Sequence, residues 1–300
     1  MPSQYQPKRA QNRPRRHNPL PLLAAAAAVC LGLILIPSLG RAPEEPTAAA
    51  SPPAAATPTP TAAPTPEPTP EPTPTPEPTP AAFDLTQPAP AAEAVEMDYF
   101  ADALFIGDSR TDGFLIYSGI GTGKNLTSNG LSIFKLEEKK ALTIDGKEYT
   151  LLEALALKQY GKVYLSLGVN ELGYYDDQGF YDAYCKAIDD IRACQPNAVI
   201  YIQGLIPLNE DVIAQSGGPS YLTNEHLLVY NDLMRKAAEE KQVVFLDLNP
   251  EFTGADGKLP ADASKDGVHL RKAYCEKWLD YLKTHTVDYE TLYPGQEGAV

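Results

Sequence analysis

The chain is poor in the residues that build metal sites and disulfide frameworks. Its four cysteines, Cys30, Cys185, Cys194 and Cys275, form no Cys-x-x-Cys or Cys/His spacing, which argues against a disulfide scaffold and a thiolate-bound metal. Cys185 and Cys194 fall nine apart on one expected helix, on roughly opposite faces, so all four read as packing residues and no metal or other cofactor is expected. Basic residues are scarce over most of the length: from Ala82 onward 19 Lys/Arg stand against 34 Asp/Glu. A domain so acidic repels phosphate backbones, which excludes nucleic acid as its ligand. A phosphate loop is missing too. Gly121-Thr122-Gly123-Lys124 comes near one, but Ser118 stands where its first glycine belongs and Asn125 where its Ser/Thr belongs. No long apolar lid of the kind that marks a lipase is present.

Acid is absent before Glu44, whereas Lys8, Arg9, Arg13, Arg15 and Arg16 are all basic. Residues 1–19 therefore read as a cytoplasmic basic tail. An apolar run follows from Leu20 to Leu39, long enough to cross a bilayer, and the charge asymmetry puts its amino end inside. Residues 20–40 are expected to be a signal anchor, single-pass, with everything beyond it outside the cytoplasm. Ser38-Leu39-Gly40 offers a small-x-small cleavage site, which would release the protein. An uncleaved anchor is preferred, because the tether that follows would be idle on a secreted chain. That tether, residues 41–93, is rich in Pro, Thr and Ala, with a Pro-Thr-Pro-Glu repeat from Pro64 to Pro80. It lacks apolar side chains to bury and is expected to stay extended as polyproline II, spanning on the order of 120 Å over about 40 residues.

Residues 94–288 then read as one α/β domain, expected to be monomeric, with 289–300 as a tail. Short apolar strands at Leu104 to Ile106, Val163 to Leu167, Val199 to Gln203 and Val243 to Leu248 alternate with helical patterns near 178–194, 223–241 and 271–284. Such alternation implies parallel strands with helices on both faces. Lys124 to Ser128 reads as an additional strand, and Ala141 to Thr150, with Asp145-Gly146 at its centre, as a hairpin before a helix near Leu151 to Leu157.

The first of those strands ends in Gly107-Asp108-Ser109, placing a hydroxyl where open α/β sheets bind ligands. Taken alone, Ser109 serves as well as a helix cap. A nucleophile needs a base, and the domain has three histidines, His226, His269 and His285. His226 lies within a helical pattern and His285 at a fraying helix end. His269 closes Asp266-Gly267-Val268-His269, where a turn at Gly267 can bring the Asp266 carboxylate to the imidazole and leave the other ring nitrogen for the serine proton. Another strand end, Gly168-Val169-Asn170-Glu171, offers an amide donor, or a turn residue and nothing more; Asn129-Gly130-Leu131 offers a glycine N–H for close approach.

In order, these four blocks resemble those of the SGNH, or GDSL, hydrolase superfamily, over about Asp98 to His285. The resemblance implies a flavodoxin-like three-layer sandwich with a five-stranded parallel sheet. It also implies roles: Ser109 as nucleophile, His269 as base, Asp266 as its orienting acid, and an oxyanion hole from the N–H groups of Ser109 and Gly130 with the side-chain amide of Asn170. Gly119, Gly121 and Gly123 compete with Gly130 for the second block. Two positions depart from the pattern, Arg110 where a small or aliphatic residue is common and Glu171 where Asp is usual. An ordinary α/β-hydrolase elbow is absent, since Thr111 replaces the second glycine of Gly-x-Ser-x-Gly.

The activity implied is hydrolysis of a small ester through an acyl-enzyme. Compartment, tether and acidity point to an O-acetyl group on cell-surface carbohydrate. Transfer of the acyl group to a cell-wall glycan uses the same triad, and a non-catalytic carbohydrate-binding module is the third reading. Arg110, Glu171 and Tyr174 are the candidate substrate-binding residues. Arg110 stands beside the nucleophile and Tyr174, with Tyr175, forms either a sugar-stacking rim or ordinary packing. Gln203, at its strand end, also points towards the site.

Overall fold

In the computed structural model the described residues are 83–138, 140 and 142–295. The proposed basic tail, the membrane segment and the tether as far as residue 82 lie outside them. Among the described residues no helix is long and apolar enough to cross a membrane.

Five strands form the central sheet: β1 (Ala103–Gly107), β2 (Lys124–Thr127), β5 (Lys162–Ser166), β6 (Val199–Gln203) and β7 (Val244–Leu246). Their order is β2-β1-β5-β6-β7 and every pairing is parallel. Strands buried on both faces need apolar residues at consecutive positions, and β1, β6 and β7 are buried throughout. Alternate side chains feed two separate cores. Leu104, Ile106, Val163, Leu165, Ile200 and Ile202 face α2 (Leu151–Leu155), α3 (Asp177–Cys194) and α5 (Asn224–Glu240). Phe105, Tyr164 and Tyr201 stack across the other face, with ring centroids 5.0 and 4.6 Å apart, against α1 (Ser109–Tyr117) and α7 (Lys272–Thr284). The sheet is thus the middle of three layers, as the resemblance implied, and its carboxyl ends all open on one edge.

The hairpin forms where Asp145-Gly146 placed it. Strands β3 (Leu142–Ile144) and β4 (Lys147–Tyr149) pair antiparallel, and both turn residues take positive φ, 50° and 77°. Cys185, Cys194 and Cys275 are free.

The domain is longer than the sequence suggested at both ends. Phe83 and Leu85 pack on the second core, Ala89 is buried, and the N–H groups of Ala89 and Ala92 donate to the carbonyls of Phe245 and Thr284. The tether therefore gives way to packed structure by Phe83 and not at 93, because a Pro- and Ala-rich segment can still satisfy its backbone against a sheet edge and a helix end. The expected tail also folds: Tyr289–Leu292 is a short helix, Leu292 is buried, and Tyr293 Oη donates to the Gln242 carbonyl at 3.0 Å.

Candidate active site

Gly107 ends β1 in contact with Thr111 and the neighbouring strand, a space that no Cβ can enter. The chain then turns directly into α1. Asp108 caps that helix, its Oδ1 accepting the Arg110 N–H at 2.9 Å, and Ser109 becomes the first helical residue, half-buried at the sheet's carboxyl edge. Across 160 residues of sequence, Ser109 Oγ lies 2.8 Å from His269 Nε2. His269 Nδ1 in turn lies 2.7 Å from Asp266 Oδ2. With Nδ1 protonated and donating to the carboxylate, Nε2 is left as the acceptor for the serine proton.

The loop that carries this acid and base is held from within. Asp266 Oδ1 accepts the N–H groups of Val268 and His269 at 2.9 and 2.8 Å. Partial burial pushes the Asp266 carboxyl up, but these N–H groups and the imidazole outweigh it and hold it well below the usual carboxylate range. Gly267 makes the turn at φ 83°, and a Cβ there would collide with the Asn209 carbonyl and Ile213. Ser264, which the sequence reading passed over, accepts the Gly267 N–H at 2.9 Å, and its hydroxyl lies 2.7 Å from the His269 carbonyl. A serine two residues before the acid was the only signal, and it is a common residue in loops.

The other strand ends converge on the same place. Asn170 sits on a single turn of 3-10 helix, Val169–Glu171, after β5. Its amide donates to Asp108 Oδ2 and to the Leu131 carbonyl, both at 3.1 Å, tying the nucleophile turn to the Gly130 loop. Both of its N–H groups are thereby engaged, so an incoming oxyanion must displace one of these bonds. Gly130 is exposed at φ 67°, in a turn closed by the Leu131 N–H on the Ser128 carbonyl. Among the described residues the N–H groups of Ser109 and Gly130 have no backbone acceptor. Burial raises the Asp108 carboxyl, while the Arg110 N–H and guanidinium act to lower it.

Two expectations about substrate contact need correction. Arg110 turns inward and is 6% exposed; Nη1 donates to the Ile206 carbonyl at 2.9 Å, and burial lowers the guanidinium to about 10 despite Asp108 and Asp266. That bond ties the nucleophile turn to the segment after β6. Glu171 is wholly buried, with Oε1 accepting the Ile133 N–H at 2.6 Å. Burial pushes its carboxyl up to about 7, with the Asp108 charge adding to the rise and hydrogen bonds from Ser132 and Ile133 opposing it. Gln203 is buried too, accepting the Trp278 indole N–H at 2.8 Å. Tyr174 alone of the candidate substrate residues is exposed, at 56%, and its ring packs on Phe134 with centroids 5.3 Å apart.

The two remaining histidines are occupied elsewhere. His226 bridges the Leu172 carbonyl and Asp177, and His285 Nδ1 lies 2.8 Å from the Tyr281 carbonyl at the end of α7.

Residues 105–274 match the model of the GDSL-like lipase/acylhydrolase family. The chain belongs to that family. The acylhydrolase is accordingly an ester-hydrolysing enzyme of the SGNH/GDSL superfamily. Among solved structures it is similar in fold to a protein from Streptococcus pneumonia described as a platelet activating factor, with 23% identity and a TM-score of 0.50 over 64% of this chain and 84% of that one. Weaker likenesses include an acetyl xylan esterase (17% identity, TM-score 0.44, 60% of this chain and 96% of that one). A peptidoglycan O-acetylesterase gives 19% identity and a TM-score of 0.42 over 54% of this chain and 45% of that one. Among curated proteins none matches the acylhydrolase.

Proposed function

We propose that the acylhydrolase is an extracytoplasmic serine esterase that removes small acyl groups, acetyl foremost, from cell-surface carbohydrate. The observation that carries the reading is the unbroken relay from Ser109 Oγ to His269 Nε2 at 2.8 Å and from His269 Nδ1 to Asp266 at 2.7 Å. Ser109 Oγ attacks the acyl carbonyl as its proton passes to His269 Nε2. The carbonyl oxygen gains negative charge facing the Ser109 and Gly130 N–H groups and the Asn170 amide. His269 then gives the proton to the departing alcohol oxygen as the C–O bond breaks. Water, deprotonated by the same nitrogen, releases the acid from the acyl-enzyme.

The openness of the relay supports a small acyl group on a large carrier: the His269 and Asp266 side chains are 49% and 47% exposed. A carrier too bulky to be engulfed can still present an acetyl group to such a site. The order of basic tail (1–19), apolar segment (20–40) and Pro-rich tether supports a membrane-anchored domain outside the cytoplasm. A sugar hydroxyl in place of water would make the same acyl-enzyme a transferase, which product analysis separates from hydrolysis.

The test is acetate release from O-acetylated glycans by the full chain beside its Ser109→Ala variant. The expected loss is about 10³-fold or more. An unchanged rate would overturn the reading.

A further inference from the structure

An open cleft of about 480 Å³ adjoins the relay, lined by Tyr117, Lys265, Asp266, His269, Leu270, Arg271 and Lys272. Three of these seven side chains are cationic, in a domain where acids outnumber bases by 34 to 19. Elsewhere in the domain Lys162, Lys186, Lys241, Lys258 and Lys277 are each neutralised by a carboxylate. Lys265 and Arg271, like Lys124, Lys135, Lys147, Lys158, Lys236 and Lys283, have no carboxylate within salt-bridge distance among the described residues; what sets these two apart is that both are exposed and stand with Lys272 in one wall beside the relay. Lys272 reaches only Glu276, at 3.6 Å. Asp266, the one acid in the wall, is held by His269. Lys272 also opens α7, whose positive end adds to the potential, and the Tyr117 ring stands 50% exposed beside the cations.

The position of the cleft says which part of a substrate meets it. It is bounded by His269 and Asp266, whereas Ser109, Gly130 and Asn170 take no part in its wall. In the reaction proposed above, His269 Nε2 hands its proton to the leaving oxygen, so the alcohol lies on the histidine side and the acyl group on the side of the amide donors. We propose that this cleft binds an anionic group, carboxylate or phosphate, carried on the alcohol portion of the ester, and that the acylhydrolase is specific for acylated acidic glycans. The Tyr117 ring provides an apolar face for a sugar next to the charge. Guanidinium and ammonium groups supply the donors that a carboxylate or phosphate needs.

This inference rests on the serine-esterase reading, and a matched pair of acetate esters tests the two apart. Methyl 4-acetoxybenzoate is neutral, and 4-acetoxybenzoate carries a carboxylate on the leaving phenol. The full chain is expected to show a higher kcat/KM for the anion than for the neutral ester, with the preference shrinking as salt is raised. In the Lys265→Glu/Arg271→Glu variant the ratio of the two kcat/KM values is expected to fall on the order of ten-fold, through KM. Arg271→Ala gives a milder version should the double variant fold poorly. An acetylated hexuronate oligosaccharide and an acetylated sugar phosphate, compared in the same way, distinguish the carboxylate from the phosphate.

A wild-type protein without preference for the anion, or a ratio unmoved by the substitutions, overturns the proposal while leaving the esterase reading intact. Failure of wild type to hydrolyse either ester, together with failure of a fluorophosphonate to label Ser109, sinks the esterase reading and this inference with it. The cleft would be a membrane-docking surface instead if the double variant lost sedimentation with phosphatidylglycerol vesicles but kept its ester preference.

Discussion

Ser109 gains its meaning from residues far away in sequence. A serine at the start of a helix satisfies backbone N–H groups in countless proteins, and only the imidazole of His269 at 2.8 Å makes its hydroxyl a candidate nucleophile. That pairing was legible because the domain offers few bases and one of them shares a tight loop with an acid. Arg110 and Glu171 were not legible, since a charged residue beside a catalytic block reads as a substrate contact until its burial is known. Glu171 has a physical consequence of its own. Its carboxyl is pushed up to about 7 in the fold, from an ordinary 4.5, so the folded chain keeps a proton that the unfolded chain releases. Stability is therefore full below about pH 4.5 and falls as the pH rises through about 7, by roughly 3 kcal/mol from this group. Glu171→Gln keeps an acceptor for the Ile133 N–H and removes the charge. Thermal melts at pH 5 and pH 8 should show the variant losing less stability over that interval than wild type; parallel losses would contradict the assignment.

At the scale of elements, the buried strands and long amphipathic helices announce themselves. Expected boundaries for α3, α5 and α7 fall within a residue or so of Asp177–Cys194, Asn224–Glu240 and Lys272–Thr284. Their apolar periodicity matches the face they bury, and caps such as Asp176 and Thr223 mark their starts. Short elements such as α4 (Glu210–Gln215) and α6 (Asn249–Phe252) escape notice, because one turn or two carries too few apolar positions to set a period. The Asp266–His269 loop is the element on which the chemistry depends, and its glycine gives a sharp test. Gly257 and Gly267 both have positive φ, 78° and 83°, but a Cβ at Gly257 meets nothing within 4 Å while one at Gly267 meets backbone. Gly257→Ala should cost about 1 kcal/mol through backbone strain alone. Gly267→Ala should cost roughly 2–4 kcal/mol and also lower esterase activity by displacing His269. Denaturant melts and an ester assay on both variants check this; equal costs would contradict it.

For the whole molecule, the family model, the three-layer fold and the convergence of three strand-end blocks with the Asp266–His269 loop agree on an acylhydrolase domain. Composition misplaced the lower edge of that domain, since proline and alanine look the same in a spacer and in a segment laid against a core. Deleting residues 83–93 from the full chain removes the two backbone hydrogen bonds that tie the segment to Phe245 and Thr284, and the apolar contacts of Phe83, Leu85 and Ala89. The melting temperature should fall by about 5 °C or more. An unchanged value would return the segment to the tether. In the proposed reaction Ser109 forms the acyl-enzyme. Rapid acid quenching of the full chain during turnover of an acetate ester, followed by peptide mass analysis, measures this directly. The predicted result is an acetyl group on the peptide carrying Ser109, present in wild type and absent from Ser109→Ala. Undiminished turnover with no acetyl group on that peptide, or acetylation of another residue that survives the Ser109→Ala change, would contradict it.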